Sequence, residues 1–175
     1  MKKIQALLFA AATTLALVGT SAHADTVWNF TYSGAGVSAS GSFDTLGNGS
    51  TPTTVEWLTG TYSDASITNG AISLIATTST PYAGEAGQFL SADGAYYYNN
   101  LFNSTSAFDD GGLLFSAGTH EVNLFGGSGG LFNLTNGVQT AVSFSAVAVP
   151  EPGAMAMLLA GMGALAFVSR RKARI

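Results

Sequence analysis

The sequence predicts an all-β domain, an antiparallel sandwich or barrel of about eight to ten short strands. Three observations carry this. Between residues 25 and 149, apolar residues recur at every second position far more often than at the 3.6-residue period of a helix. Asn-Gly, Asp-Gly and Gly-rich turn signals separate these segments at short intervals. No stretch of the body holds a sustained helical stripe.

In chain order, the first element is not part of the fold. A basic start at Lys2 and Lys3, an apolar run from Ile4 to Gly19, and the small residues Ala22 and Ala24 describe a secretory signal peptide. Cleavage is expected before Asp25. The apolar run is shorter than the ~20 residues that span a bilayer. Residues 1–24 therefore imply passage through the Sec export machinery.

The first strands follow at Trp28, Phe30 and Tyr32, and then at Val37, Ala39, Gly41 and Phe43, each set on one face of its strand. Further strands are expected at Val55 to Tyr62, Ala71 to Ala76, Gln88 to Leu90, Ala95 to Phe102, Leu113 to Ser116, Glu121 to Phe125, Leu131 to Leu134 and Val138 to Val147. Between them lie Leu46-Gly47-Asn48-Gly49, Thr68-Asn69-Gly70, Ala92-Asp93-Gly94, Asp109 to Gly112, Gly126 to Gly130 and Asn136-Gly137. Asn-Gly and Asp-Gly supply the positive φ angles of tight hairpin turns. The last three strands have the short connections of a meander.

The body has no Lys or Arg, against nine acids: Asp25, Asp44, Glu56, Asp64, Glu85, Asp93, Asp109, Asp110 and Glu121. Nucleic acid is excluded as a partner, since affinity for phosphate rests on cationic side chains. No Lys or Arg salt bridge can form within the body. Ser, Thr, Asn and Gly replace charge as the solvating surface, a composition that suits an extracytoplasmic protein. Cysteine is absent, which removes disulfides and thiolate metal sites. Stability must come from packing in one domain, residues 25–149, burying roughly two-thirds of its unfolded surface.

Residues 150–175 form a third unit. Four of the chain's six basic residues, Arg170, Arg171, Lys172 and Arg174, follow an apolar run from Gly153 to Val168. As a helix that run spans about 24 Å, one short membrane crossing, and the basic cluster would stay on the cytoplasmic side. Before it, Pro150-Glu151-Pro152 keeps the chain extended and accessible to an enzyme.

The tripeptide, the short apolar helix and the terminal basic cluster closely resemble the PEP-CTERM protein-sorting signal of Gram-negative bacteria. The resemblance implies that an exosortase in the inner membrane recognises the tail and processes the chain near Pro150-Glu151-Pro152. It implies a transient inner-membrane anchor, then the cell surface or extracellular matrix, in association with exopolysaccharide and biofilm. The body has a second resemblance, to a recurring arrangement in small exported proteins with this tail. It rests on Trp28 to Gly36, Gly41-Ser42-Phe43, Gly60-Thr61-Tyr62, Asn99 to Phe102 and Asp109 to Phe115, and carries no biochemical activity over.

Catalysis finds little support. His120 is the only histidine after residue 24 and is expected at a strand edge. Gly126-Gly127-Ser128-Gly129-Gly130 matches G-x-S-x-G, but a nucleophile elbow needs a following helix. Leu131 to Thr135 is strand-like, so a hairpin loop is expected. Paired carboxylates would suit glycoside hydrolysis, yet Asp109 and Asp110 are adjacent and point to opposite faces if extended. These two acids, with turn carbonyls, are also the ligands a structural calcium would take; the D-x-D-x-D-G loop is incomplete, and no metal or cofactor is expected. In Tyr96-Tyr97-Tyr98, Tyr97 should project opposite to its neighbours, as a ring available to stack on a sugar. The Asn-x-Ser/Thr sites at Asn29, Asn48, Asn103 and Asn133 are not taken as glycosylated in a bacterial chain.

The expectation is a non-enzymatic, structural or adhesive surface or matrix protein. A carbohydrate-binding module is the first alternative and a glycoside hydrolase the second.

Overall fold

The computed structural model describes residues 25–77, 81–84, 86–150 and 159–162. The expected cleavage residues Ala22 and Ala24, the motif residues Glu151 and Pro152, most of the 153–168 run and the basic cluster Arg170, Arg171, Lys172 and Arg174 lie outside the described residues. Residues 159–162 are helical. Among the described residues no helix is long and apolar enough to cross a membrane.

Twelve strands form: β1 Thr26–Gly34, β2 Val37–Thr45, β3 Thr53–Ser63, β4 Gly70–Leu74, β5 Phe89–Leu90, β6 Tyr97–Tyr98, β7 Leu101–Asn103, β8 Ala107–Phe108, β9 Leu113–Ala117, β10 His120–Gly127, β11 Gly130–Thr135 and β12 Val138–Ala148. Eight of them close a ring of antiparallel neighbours, β1-β2-β3-β4-β9-β10-β11-β12 and back to β1. The architecture is therefore a barrel. Closure rests on β1, which pairs with β2 from Thr26 to Gly34 and with β12 from Trp28 to Gly34.

Local chemistry sets the turns. Asn136 and Gly137 take φ of 48° and 74°, the left-handed pair that a two-residue hairpin needs. At this end of the barrel the connections are 35–36, 64–69, 118–119 and 136–137. The opposite end carries the loop 46–52, the turn 128–129, both ends of the domain, and the long insertion 75–112 between β4 and β9.

Closing eight strands demands a sharp corner, and β2 and β3 make it with facing glycines. Gly41 and Gly60 are paired in register. A Cβ on Gly41 would sit 2.0 Å from the Thr59 carbonyl oxygen, and one on Gly60 2.2 Å from that of Ser40. Further along, Glu56 and Trp57 oppose the single residue Asp44, a β-bulge. The Asp44 carboxylate accepts the freed Trp57 N–H at 2.9 Å.

Period two fills the interior. Trp28, Phe30, Tyr32, Phe43, Leu58, Tyr62, Phe115, Val122 and Leu124 are all buried. Phe102 and Phe108, from the insertion, plug the insertion end: Phe102 lies 4.8 Å from Phe43 and 5.0 Å from Trp28, and Phe108 lies 5.3 Å from Phe144, centroid to centroid. The space between Phe30, Tyr32, Leu58 and Phe144 holds no room for a water molecule. Toward the tight-turn end the interior is polar but satisfied. The Tyr32 hydroxyl donates to Asn133 Oδ1 at 2.9 Å, and Asn133 Nδ2 donates to the Tyr62 hydroxyl at 3.4 Å. Burial, with the Tyr62 ring and Asp64 nearby, pushes Tyr32 above the usual phenol range; burial also pushes Tyr62 up to about 12. Both stay neutral phenols.

The expected strand Ala95 to Phe102 is broken into β6 and β7 by Asn100, which takes φ of 54° and is 1% exposed. Here β3 and β4 splay apart, since they pair only from Thr59 to Tyr62. Asn100 fills the gap. Its carbonyl accepts the Val55 N–H and its own N–H donates to Gly112. Its side chain donates to the Ile75 carbonyl at 2.8 Å and accepts the Leu114 N–H at 2.9 Å. The amide thus stands in for a peptide group of the missing strand.

Truncating Asn100 removes the partner of the Ile75 carbonyl and of the Leu114 N–H, so Asn100→Ala should lower stability by roughly 2–4 kcal/mol, read as a fall in the urea midpoint. Gly60→Ala should cost roughly 1–3 kcal/mol by overpacking. An unshifted midpoint in the latter would show that the β2–β3 corner has slack.

Candidate functional site

A filled interior moves function to the outside. The residues singled out from sequence land there in different ways. Ser128 sits in the β10–β11 hairpin turn and a strand follows it, so the G-x-S-x-G stretch is a hairpin loop. His120 begins β10, with Nδ1 3.9 Å from Asp64 Oδ2. Asp64 itself serves the 64–69 turn, accepting the Ser66 N–H at 2.7 Å, the Ser66 hydroxyl at 2.8 Å and the Ile67 N–H at 2.7 Å. Partial burial works against its charge, but these donors outweigh it and hold the carboxyl below its ordinary value.

Asp109 is also spent on structure. It takes both carboxylate contacts of Asn99 Nδ2, at 2.9 and 2.8 Å, and the N–H groups of Gly111 and Gly112. Neither Asp109 nor Asp110 belongs to a metal-sized cluster. Among the described residues the one such group is Asp25, Asp44 and Glu56, with ligand oxygens within 4.8 Å of one another. Its buried member, Asp44, is already bonded to Trp57.

The insertion builds a second, smaller core on the outer face of the barrel. Tyr96 and Tyr98 turn inward onto Leu114, backed by Ile75, Phe89 and Leu134. Tyr97 projects the other way and is 42% exposed, as the alternation requires. Tyr82 stacks on it at 5.2 Å and 12°.

Beneath this cover runs the outward row of β10: Glu121, Asn123 and Phe125. Asn123 is 4% exposed. Its Nδ2 donates to the Tyr97 carbonyl at 3.0 Å and the Gly111 carbonyl at 3.2 Å, while its Oδ1 has no hydrogen-bond partner. The two carbonyls fix which end of the amide is nitrogen. Two residues away, Glu121 Oε2 is likewise buried without a partner. Burial, with the charge of Asp93, pushes the Glu121 carboxyl up, and Ser91 offsets part of this. Asp93 is held below its ordinary value by the Ser91 hydroxyl and the Ala95 N–H.

Asn123, Tyr96, Tyr97, Asp110, Phe125 and Leu134 line a small open pocket of about 50 Å³. Sequence reading found Tyr97 and Asp110. It passed over Asn123 and Phe125, because outward positions on a strand read as solvent and only the folded insertion covers them.

The model of the PEP-CTERM protein-sorting motif family matches residues 148–172. The C-terminal segment is thus a sorting signal, and the chain is an exported protein sorted by an exosortase, with membrane-anchored transit. No curated protein and no solved structure shows a match to this chain.

Because the Glu121 carboxyl is raised, the folded state holds that proton more tightly than the unfolded chain does. Stability is therefore lost as pH rises from the ordinary value near 4.5 through the raised one, and the deficit persists above it. Glu121→Gln should raise the urea midpoint at pH 7, with the gap to the parent narrowing toward pH 4. Parallel pH profiles for the two proteins would contradict this.

Proposed function

We propose that the exported barrel is a non-catalytic component of the cell surface or extracellular matrix that adheres to exopolysaccharide. The observation that carries this reading is the outer face of β12, β1, β2 and β3. Strand register aligns Ser145, Thr31, Ser40 and Thr61 in one row, Ser143, Ser33, Ser38 and Ser63 in the next, and Asn29, Ser42 and Thr59 in a third. Within the third, the Ser42 hydroxyl donates to Asn29 Oδ1 at 2.7 Å. Rows repeat at about 4.8 Å between strands and about 6.7 Å along them. A surface of donors and acceptors without cations suits contact with a hydroxylated polymer, and the sorting signal supports its delivery there.

The non-catalytic part of the reading is supported by how the candidate groups are used. Asp109 is bonded within its turn, His120 Nδ1 lies 3.9 Å from the turn carboxylate of Asp64, and Ser128 stands in a hairpin. Carbohydrate binding at one defined place is the second reading, favoured by the exposed Tyr97 beside a pocket.

The full chain, expressed with its exosortase present or deleted, should separate into two products. With the enzyme, the expected species lacks the tail beyond the Pro150-Glu151-Pro152 region by mass spectrometry and fractionates with the surface or matrix. Without it, the chain should stay uncut in the inner membrane. An uncut inner-membrane species in both strains would remove the support for a matrix role.

A further inference from the structure

We propose that Trp57, on the outer face of β3 beside the polar row Thr59, Ser42 and Asn29, is the stacking platform on which the barrel holds a polysaccharide free of negative charge. The inference rests on the exopolysaccharide-associated reading above and gives it a residue.

The first ground is how Trp57 is presented. Regular alternation after the buried Val55 would turn Trp57 into the core. The bulge opposite Asp44 adds one residue, so Glu56 and Trp57 both stay outside and Leu58 returns to the interior. Bulges re-aim side chains in this way beside functional sites. The backbone under the ring is fixed, because the Asp44 carboxylate, on a residue 7% exposed, takes the Trp57 N–H at 2.9 Å. A ring held ready on a rigid strand loses little freedom when a ligand arrives.

The second ground is that the indole is unspent. Trp57 is 39% exposed, and among the described residues no aromatic ring packs on it and no hydrogen bond uses its Nε1–H. The other tryptophan differs on both counts: Trp28 is buried and donates its Nε1–H to Thr45 Oγ1 at 3.0 Å. Tyr97, also exposed, has Tyr82 stacked on its ring. A free indole offers an apolar face to the C–H side of a pyranose and a donor to one of its hydroxyls.

The third ground is what lies alongside. Thr59 follows on the same face, and strand register continues the row through Ser42 and Asn29 to the exposed Val147. Three strand spacings make about 14 Å of uncharged surface, open to a short stretch of polymer. The Ser42 hydroxyl donates to Asn29 Oδ1, which leaves Asn29 Nδ2 to donate outward. Charge then narrows the class. Glu56 adjoins Trp57, its carboxylate lies within 4.8 Å of those of Asp25 and Asp44, and the body contains no Lys or Arg to balance them. Sugar hydroxyls find acceptors there, whereas a uronate, sulfate or phosphate would meet only like charge.

The test uses the exported protein purified from its producing cells, titrated in EDTA-containing buffer with neutral hexose oligosaccharides and with uronate oligosaccharides, and read by tryptophan fluorescence and calorimetry. Trp28 is buried, so a blue shift and protection from acrylamide quenching on binding report Trp57. Neutral oligomers should bind, weakened on the order of tenfold by Trp57→Ala and severalfold by Asn29→Ala, and uronate oligomers should bind less well. Matching urea midpoints confirm that both variants fold. Neutral binding that shields no tryptophan and that neither variant weakens would overturn the site and leave the polysaccharide reading standing. No binding of either class, with or without calcium, would overturn both. Uronate bound as well as neutral sugar, or binding seen only when calcium replaces EDTA, would overturn the assignment of direct contact with a polymer free of negative charge.

Discussion

One buried amide holds this architecture together. Asn100 joins strands that do not reach each other: its backbone bonds Val55 and Gly112 and its side chain bonds Ile75 and Leu114. Because it sits in the left-handed region, the chain direction changes there. The segment before it lays Tyr96 and Tyr98 on the outer face of the barrel, and the segment after it drives Phe102 into the open end. The plug and the pocket wall are thus two ends of one constraint. Asparagine alone among common residues combines tolerance of this conformation with a donor and an acceptor in the geometry of a peptide group.

A body without a single Lys or Arg needs another use for its carboxylates. Several of the described acids turn to backbone N–H groups instead. Asp44 serves the bulge at Trp57, Asp64 the 64–69 turn, Asp93 the Ala95 turn and Asp109 the Gly111-Gly112 turn. These bonds are local and charge-assisted, so they fix loop shapes without desolvating an ion pair. Asp110 and Glu121 stand outside this pattern, on the covered side of β10 and its rim.

How much of this could be read in the chain depended on range. Asn136-Gly137 and Thr68-Asn69-Gly70 carry their φ requirements in their own residues and were legible. The period-two runs of β1, β2 and β12 were legible for the same reason, as was the outward Tyr97. Barrel closure was not, because it depends on Trp28 meeting Ala148 across nearly the whole domain. The break at Asn100 was hidden inside an unbroken apolar run, since its causes are Val55, Ile75 and Leu114. The β8 pair Ala107–Phe108 gave no periodic signal in two residues. Asn123 looked like solvent-facing polarity, and only the folded insertion made it a buried acceptor.

The pairing of β1 with β12 also has a temporal meaning. A chain made from its N-terminus produces β1 first and β12 last, so one edge of β1 waits for a partner until residue 148 has appeared. A ring of this kind cannot close by halves, and an unpaired edge invites other chains. The Val149 N–H still bonds Val27, and Pro150 follows with no spacer. The seam of the barrel and the start of the sorting motif are therefore neighbours on the chain, and any enzyme that cuts there meets the rim of a folded cylinder. The same few residues that finish the fold decide how near the membrane it is held.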